Sequence, residues 1–224
     1  MSLLALSGQF RFILNALKKP EKAIIPRKAV YRLSIYSRCL HRLNNNGIET
    51  VSSDALAQAA GVKPTQLRKD LTYFGQFGTR GLGYDVEQLS RMISDLLGTN
   101  SLQPVVLVGV GNLGRALLSY RGFEQEGFEI VGAFDSRATE IEGVKTPVFP
   151  MESLQAVVES KQVKLAILAV PPHAAQEVVN RLVEFGITGV MNFAPIVLSL
   201  PEHVTVNSVN LAIELENLSY FIQT

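Results

Sequence analysis

The sequence contains few of the residues that secreted domains and structural metal sites depend on. Cys39 is the only cysteine among 224 residues, so neither an intrachain disulfide nor a cysteine-based zinc site can form, as is typical of a reducing cytoplasm. Apolar runs are far shorter than the roughly 20 residues that span a bilayer. The N-terminus is apolar, but its basic Lys18 and Lys19 follow the apolar stretch, the wrong order for a signal peptide. We therefore expect a cytoplasmic protein with no membrane partner and no metal.

The small net charge of +1 conceals an uneven distribution along the chain. Residues 1–98 carry 14 Lys and Arg against 7 Asp and Glu, whereas residues 99–224 carry 7 against 13. This asymmetry indicates an anionic partner for the N-terminal half, either nucleic acid or a membrane surface. The length allows one large domain or two modest domains, each with its own core. We divide the chain into segments 1–25, 26–98, 99–207 and 208–224.

The leader, residues 1–25, is the segment whose role is least defined. Its apolar residues Phe10, Ile13, Leu14 and Leu17 have helical spacing. One interpretation is a packing extension or a partly disordered leader, and the other is an amphipathic helix that binds a membrane surface or a partner.

Residues 26–98 show regular helical signals. Pro26 suits the first turn of a helix that ends near residues 44–47. Ser52 or Ser53 caps a second helix over residues 54–60, and a third helix spans residues 64–74. The buried stripe of the first helix is predicted to contain Val30, Leu33, Ser37, Leu40 and Leu43.

The second and third helices, within about residues 36–75, form a helix-turn-helix pattern. Leu67, Leu71 and Phe74 are spaced to face inward in the third helix. Its N-terminal half would therefore meet base edges in a major groove. A plain helical subdomain with a solvated Arg-Lys pair is the alternative. The candidate DNA-contacting residues of this helix are Thr65, Gln66, Arg68, Lys69 and Tyr73.

The following segment, residues 75–84, is rich in glycine and aromatic residues. Alternation around Phe77 and Leu82 predicts a tight two-stranded ribbon, and a ribbon after a recognition helix is a wing. Arg80 at its tip could then enter a narrow minor groove. A glycine-rich turn with a solvated Arg80 and a phosphate loop of some other enzyme are the alternatives. A further helix over residues 85–97 is predicted to bury Val86, Leu89, Ile93, Leu96 and Leu97.

The C-terminal half alternates strands and helices, which indicates an α/β fold with a parallel, Rossmann-like sheet. Strands are predicted over residues 105–108, 129–134, 165–170 and 189–192. Helices are predicted over residues 113–120, 151–160 and 174–185.

A glycine-rich hexapeptide follows the first of these strands and opens a helix. Gly109 suits a tight turn, Gly111 permits backbone approach to a pyrophosphate, and Gly114 permits close packing of helix and strand. The helix N-terminus at Asn112 and Leu113 adds free N–H groups. The G-x-G-x-x-G motif consists of Gly109, Val110, Gly111, Asn112, Leu113 and Gly114. This context predicts a dinucleotide site.

The ends of the later strands supply the rest of the predicted site. Asp135, followed by Ser136, ends the second strand 21 residues after Gly114. An acid there accepts both ribose hydroxyls and favours NAD(H) over NADP(H), although Arg137 weakens that preference. Coenzyme A and S-adenosylmethionine are alternative ligands. The remaining candidates, which also fit ordinary strand termination, are Ala169, Val170, Pro171, Asn192, Phe193 and Ala194.

The sequence has few histidines that could serve as the acid in a reaction of the dinucleotide. An oxidoreductase needs a positioned acid, which is often a histidine near the nicotinamide. His41 lies in the DNA-binding half, His173 follows a proline pair, and His203 lies in a late loop. No substrate domain is evident. We interpret the dinucleotide as a bound signal and not as a reagent.

Taken together, these segments resemble the Rex family of bacterial redox-sensing transcriptional repressors. The resemblance covers about residues 25–222. Its motifs contain Pro26, Arg32 and Tyr36; Gln66, Arg68, Lys69, Asp70, Tyr73 and Gly75; Gly78, Arg80, Gly83 and Tyr84; the glycine loop; Tyr120, Gly122 and Phe123; and Asn192, Phe193, Ala194 and Pro195.

The resemblance implies a homodimer with winged-helix heads and Rossmann-like NAD(H) domains. The resemblance also implies that the C-terminal helix, here about residues 209–222, exchanges between subunits near the partner's cofactor site, and that Tyr120 belongs to the cofactor site. The implied partner is double-stranded operator DNA with an AT-rich inverted repeat. NADH would close the dimer and release DNA, and NAD⁺ would compete without releasing it.

One position departs from the family pattern. The family commonly has an acidic–aromatic pair before the C-terminal helix, which is thought to link with the residues matching Tyr120 and Arg38. This chain has Asn210 and Leu211 there. Asn gives no charge to Arg38, and Leu cannot stack on a nicotinamide. We therefore expect cofactor discrimination to be weaker or differently built.

Three other functions remain open at this point. They are an NAD-dependent enzyme with an appended oligomerisation domain, a DNA-binding regulator that senses another adenine ligand, and an architectural DNA binder. The lack of an evident acid argues against the enzyme. The presence of Asp135 argues against another adenine ligand, and the cofactor loop is unexplained in an architectural DNA binder.

Overall fold

The computed structural model describes residues 25–75, 77–78, 82–137 and 145–222. The chain divides between Asn100 and Ser101 into two units, which we describe separately. The predicted leader helix and the predicted wing residue Arg80 lie outside the described residues. Within the described ranges, no helix is long and apolar enough to cross a membrane. Those ranges also contain no group of three His, Cys, Asp or Glu side chains that could hold a metal ion.

The first unit is mainly helical and has one small two-stranded sheet. Its elements are α1 (Arg27–Asn45), β1 (Thr50–Val51), α2 (Ser53–Ala59), α3 (Pro64–Thr72), β2 (Tyr84–Asp85) and α4 (Val86–Leu97). Side chains from every one of these helices meet in a single apolar core. The alternation of short helices and short strands therefore matches a winged helix-turn-helix.

Two predicted core positions in these helices are wrong. Val30 is 40% exposed, and Leu96 is 46% exposed. In α1 the buried face contains Ala29, Leu33, Tyr36 and Leu40, which follow the i, i+4, i+7, i+11 spacing of a helix. Val30 lies one residue, or about 100°, away from that face. The predicted stripe is therefore wrong by one residue at its N-terminal end, where Ala29 and not Val30 is buried.

The turn chemistry of the helix-turn-helix is close to that predicted. Of the two candidate caps for α2, Ser52 is the one that acts, because its Oγ accepts a hydrogen bond of 3.1 Å from the backbone N–H of Ala55. Pro64 begins α3, and Leu67 is fully buried. The helix ends at Thr72, two residues earlier than predicted, and Phe74 still packs against the core.

The two-stranded ribbon predicted within residues 75–84 has a different pairing in the structure. Strand β2 pairs antiparallel with β1, placing Val51 opposite Tyr84, whereas Phe77 and Gly78 are not in a strand. Gly83 has a φ of +84°, and an added Cβ would lie 2.4 Å from the Val51 carbonyl oxygen. This close approach, together with burial of the Tyr84 ring, fixes the C-terminal arm of the wing on β1.

The second unit is a six-stranded, wholly parallel sheet with helices. Its strands are β3 (Gln103–Val108), β4 (Phe128–Asp135), β5 (Val148–Pro150), β6 (Leu165–Leu168), β7 (Gly189–Asn192) and β8 (Thr205–Ser208). Its helices are α5 (Asn112–Leu118), α6 (Gly122–Gln125), a 3₁₀ turn (Met151–Ser153), α7 (Leu154–Ser160), α8 (Pro172–Glu184) and α9 (Leu211–Ile222). The strand order β5-β4-β3-β6-β7-β8 is that of a Rossmann fold.

Alternate residues of β3 supply the two faces of this sheet. Val106 and Val108 belong to one apolar cluster, and Val105 and Leu107 belong to the other. Burial on both faces gives the continuous apolar run that marked this strand in the sequence. The edge strands β5 and β8 escaped prediction because β5 is only three residues long and β8 is polar and exposed.

Candidate functional site

The glycine loop lies where the order of the sheet reverses, between β3 and β6. The Gly109 N–H donates to the Phe134 carbonyl of β4 (2.8 Å), and the Ala169 N–H donates to the Val108 carbonyl of β3 (2.8 Å). Gly109 has a φ of +98°, and an added Cβ would lie 2.5 Å from the Ala169 carbonyl oxygen. Open α/β sheets bind ligands at this crevice beyond the carboxyl ends of the strands.

The other two glycines of the motif have different surroundings. A Cβ added to Gly114 would lie 2.0 Å from the Gly109 carbonyl oxygen, so only glycine lets α5 begin this close to the loop. A Cβ added to Gly111 would meet nothing within 4 Å. The open space at Gly111 is where the motif needs backbone to approach a pyrophosphate.

Asp135 holds the glycine loop as well as ending its strand. Its Oδ2 accepts a hydrogen bond from the Val110 N–H (2.7 Å), and its Oδ1 accepts one from the Arg137 N–H (2.9 Å). Burial opposes ionisation, but these backbone donors outweigh it and hold the pKa of Asp135 below its usual value. The side chain is therefore an anion at the loop, and the exposed Ser136 follows it with its Oγ 3.5 Å from Asp135 Oδ1.

The end of β6 and the end of β7 complete the same edge of the sheet. The Phe193 N–H donates to the Leu168 carbonyl (2.9 Å), which joins the two strand ends. Ala169 and Val170 are half-buried, and Pro171 is the exposed residue that precedes α8. The structure thus brings the loop, Asp135 and the β6 end into direct contact, and places Phe193 and Ala194 one strand further along.

Asn192 has a different environment from the other predicted cofactor residues. Its side chain is fully buried. The amide nitrogen donates to the carbonyls of Ala194 (3.0 Å) and Ile196 (3.2 Å), and the amide oxygen accepts from the Ala194 N–H (2.9 Å). These partners lie in the loop that follows β7, and a longer bond of 3.4 Å joins the amide nitrogen to the Ser208 Oγ at the end of β8. We therefore assign the side chain of Asn192 to shaping that loop.

Two of the residues predicted for switching also have defined local roles. The Tyr120 ring is exposed and packs edge-on against Phe123 at 5.1 Å. The Oδ1 of Asn210 accepts hydrogen bonds from the N–H groups of Ala212 (3.0 Å) and Ile213 (3.4 Å), so Asn210 caps α9. Arg38 is exposed on α1 of the first unit.

Helix α9 exposes its apolar side chains, and none of its residues is buried in the described chain. A helix with no buried face gains little from tertiary packing. Its exposed apolar residues are Leu211, Ile213, Leu215, Leu218, Tyr220, Phe221 and Ile222.

In the first unit, α3 presents most of its predicted contact residues to solvent. Thr65, Arg68 and Lys69 are exposed, and Tyr73 is half-buried just beyond the helix. The guanidinium of Arg68 donates to the Oγ of Ser53 (2.9 Å) at the start of α2. Gln66 differs from these residues because it is half-buried and bonds inward.

Sequence reasoning missed the group that receives Gln66, a buried cluster centred on Asp70. Asp70 is fully buried and accepts from Arg32 Nε (2.5 Å), Arg32 Nη2 (2.7 Å), Tyr36 Oη (2.8 Å) and Gln66 Nε2 (2.8 Å). Burial opposes ionisation, but these four bonds hold the pKa of Asp70 below its usual value. The available signal was a carboxylate three residues after Leu67, on the apolar side of α3.

Comparisons with known proteins agree with both halves of this description. A family model described as "Putative DNA-binding protein N-terminus" matches residues 24–72. A model described as "CoA binding domain" matches residues 100–196.

Curated relatives cover nearly the whole chain. The redox-sensing transcriptional repressor Rex of Pelotomaculum thermopropionicum is 47% identical over 198 residues, which are 88% of this chain and 93% of that protein. Rex of Streptomyces coelicolor is 44% identical over 89% of this chain and 78% of its own length. This chain belongs to the Rex family. Rex proteins are transcriptional repressors and not enzymes.

Solved Rex structures have the same fold. The crystal structure of RSP in complex with β-NAD⁺ and operator DNA is 33% identical, has a TM-score of 0.81, and aligns over 89% of this chain and 93% of RSP. RSP, a Rex-family repressor, in complex with β-NADH is 32% identical with a TM-score of 0.76, over 89% of this chain and 95% of RSP.

Proposed function

We propose that this Rex protein represses transcription by binding operator DNA as a homodimer, and that NADH binding releases it. The observation that carries the proposal is the joining of an exposed helix-turn-helix to a glycine loop and ionised Asp135 at the switch point of a Rossmann sheet. The RSP complexes with operator DNA and with NADH support it. Such a regulator acts in the cytoplasm, where the chromosome and the NADH pool are found.

The residues at the sheet edge fit a dinucleotide. The loop N–H groups and the open space at Gly111 receive the pyrophosphate. Asp135 faces the adenine ribose and disfavours a 2′-phosphate. The nicotinamide end lies toward Ala169, Val170, Pro171, Phe193 and Ala194. A site that becomes apolar on closure prefers the neutral ring of NADH to the charged ring of NAD⁺.

Coenzyme A is the second candidate ligand because the matching family model carries its name. The two ligands are distinguished by displacement of NADH from the protein, followed through NADH fluorescence. We expect NAD⁺ to displace NADH and coenzyme A to leave it bound. Displacement by coenzyme A at concentrations at which NAD⁺ has no effect would assign the site to coenzyme A.

The DNA-binding surface is the outer face of α3. Thr65 and Gln66 lie in its first turn, where residues reach base edges in a major groove. Lys69, Arg68 and Tyr73 are placed for phosphates and flanking bases, and the wing with Arg80 follows the adjacent minor groove. Two such helices in a homodimer must lie one helical turn apart, roughly 34 Å, which requires an inverted repeat. An AT-rich sequence provides the narrow minor groove that the wing needs.

The homodimer proposal rests on α9, whose apolar residues need a partner surface. We place α9 on a second copy of the chain, near the partner's cofactor site. Replacing both Leu215 and Leu218 with Asp removes two buried leucines from that contact, at about 1.5–3 kcal/mol each. We expect the dimer dissociation constant to rise at least about a hundredfold in sedimentation equilibrium. Glu214→Gln on the same helix is the control, and a double variant that stays dimeric contradicts the exchange of α9.

A substitution at Asn210 tests whether this residue takes part in coupling NADH binding to DNA release. Asp and Asn cap helices about equally well, so Asn210→Asp adds a negative charge without removing the cap seen at Ala212 and Ile213. If Asn210 meets Tyr120 and Arg38 in the dimer, the charge changes the coupling between sites. We expect the NADH concentration for half-release of DNA to shift by about threefold or more. An unchanged dose–response curve contradicts a switching role for this position.

A further inference from the structure

The buried Asp70 cluster binds one side chain of α3 that lies at the proposed DNA surface. Gln66 lies in the first turn of the helix, four residues before Asp70, and its Nε2 donates to Asp70 Oδ1 at 2.8 Å. The same carboxylate accepts two bonds from Arg32 and one from Tyr36 on α1. A residue at the proposed DNA surface is therefore joined to a buried anion.

The chemistry of Asp70 allows only one orientation of the Gln66 amide. An ionised carboxylate accepts hydrogen bonds and cannot donate them. Rotating the Gln66 amide by half a turn would place Oε1 against Oδ1 of a fully buried anion. Such a contact removes a bond and opposes two oxygens in a medium of low dielectric constant. The nitrogen of Gln66 therefore faces Asp70.

The atoms left to Gln66 determine which base it matches. With one N–H engaged by Asp70, the amide retains Oε1 as an acceptor and a second N–H as a donor. In the major groove, adenine presents an N6 donor beside an N7 acceptor, which this pair complements. Guanine and thymine present O6 and O4 acceptors, which oppose Oε1. An unrestrained glutamine could instead turn its nitrogen toward those acceptors.

We propose that Asp70 locks the amide of Gln66 so that Gln66 selects an adenine in each operator half-site. Asp70 is thus a positioning residue, and Gln66 determines specificity. This inference rests on the proposed function, because it requires α3 to lie in the major groove.

The test uses duplexes that the full-length wild-type protein selects from a random library. Each adenine of the selected repeat is replaced in turn by 2′-deoxynebularine, which lacks only the 6-amino group. Binding is measured by fluorescence anisotropy at one salt concentration. We expect one position per half-site at which the replacement weakens wild-type binding about tenfold. At that position the replacement leaves the DNA affinity of Gln66→Ala unchanged, because this variant has no side-chain amide that could bind the 6-amino group.

Two further variants separate recognition from general binding. Lys69→Ala removes a phosphate contact, so it weakens all duplexes similarly and keeps the tenfold effect of nebularine. Tyr36→Phe removes one bond to Asp70 but leaves the Gln66 bond, so it also keeps that effect. Asp70→Ala removes the acceptor of the Gln66 amide, so the amide is free to turn and the effect falls below about threefold. The tenfold effect of nebularine is therefore expected only in variants that keep the Gln66–Asp70 bond.

The outcomes distinguish this inference from the function on which it rests. The inference alone is overturned if, at every adenine of the selected duplex, nebularine weakens wild-type protein and Gln66→Ala to the same extent. Failure of the wild-type protein to select any duplex overturns the proposed function as well.

Discussion

Gly114→Ala is expected to abolish NADH binding and to destabilise the second unit. The added Cβ lies 2.0 Å from the backbone oxygen of Gly109, so the start of α5 and the glycine loop must separate. Overpacking of this kind typically costs about 1–3 kcal/mol, and more where rigid backbone is the obstacle. We expect the unfolding free energy of this unit to fall by about 3 kcal/mol in urea titrations. NADH should then no longer raise the melting temperature.

Gly111→Ala is the matched control within the same loop. Its Cβ meets nothing within 4 Å, and its φ of −73° suits any residue. Stability should therefore stay within about 0.5 kcal/mol of wild type, while the methyl group occupies the approach of the pyrophosphate and weakens NADH binding. A Gly114→Ala protein that binds NADH normally contradicts the packing argument. A Gly111→Ala protein that binds NADH normally contradicts the placement of the cofactor.

Arg32→Ala is expected to destabilise the first unit more than any exposed substitution in α1. It removes two of the four bonds that Asp70 accepts and leaves a buried carboxylate without its cationic partner. Breaking a buried ion pair in this way costs about 3–5 kcal/mol. Operator binding should fall with the loss of folded protein. Arg27→Ala, at an exposed position on the same helix, is the control and should change stability by less than about 0.5 kcal/mol.

The pH dependence of stability separates this ion pair from simple loss of packing. The pKa of Asp70 is lowered in the folded state, so its stabilising contribution is complete above the ordinary Asp value of 3.8. That contribution is lost as the pH falls through the lowered pKa, because the folded protein must then take up a proton. The stability difference between wild type and Arg32→Ala should therefore be largest near neutral pH and narrow below about pH 4. A difference that is constant with pH would falsify the ion-pair explanation.

Those features that depend on local pattern were predictable from the sequence. The glycine loop, the apolar strands β3 and β7, and the Pro64 start of α3 all appear where periodicity and turn residues indicated. Strand β7 has the predicted bounds of 189–192. These elements combine a strong local preference with burial, so two independent signals agree.

The features that escaped prediction depend on contacts between distant residues. Strand β2 pairs with β1, more than 30 residues earlier in the chain, and nothing local to residues 75–84 specifies that partner. The edge strand β8 has no apolar face to reveal it. Asn192 was predicted as a cofactor-site residue at a strand end, but its bonds to Ala194 and Ile196 were not predictable because they depend on how the following loop folds back.

The switching mechanism requires only a modest coupling free energy. In the mechanism that we propose, NADH binds a closed conformation of the homodimer more tightly than the DNA-bound conformation. Rotation of the two recognition helices away from a spacing of roughly 34 Å would then remove one of them from its half-site. A coupling of about 1–3 kcal/mol changes DNA affinity by a factor of roughly 5 to 150. Asn210 and Leu211, in place of the family's acidic–aromatic pair, are expected to set where in that range this protein lies.

The most direct test of the account compares operator binding with NADH, with NAD⁺ and with no cofactor. The probe is a fluorescently labelled, AT-rich inverted-repeat duplex from the region upstream of the gene, and fluorescence anisotropy is read at one fixed salt concentration because phosphate contacts make affinity salt-dependent. We predict that NADH releases the duplex, whereas NAD⁺ leaves it bound. Tight binding that is indifferent to both nucleotides would contradict redox sensing by this protein.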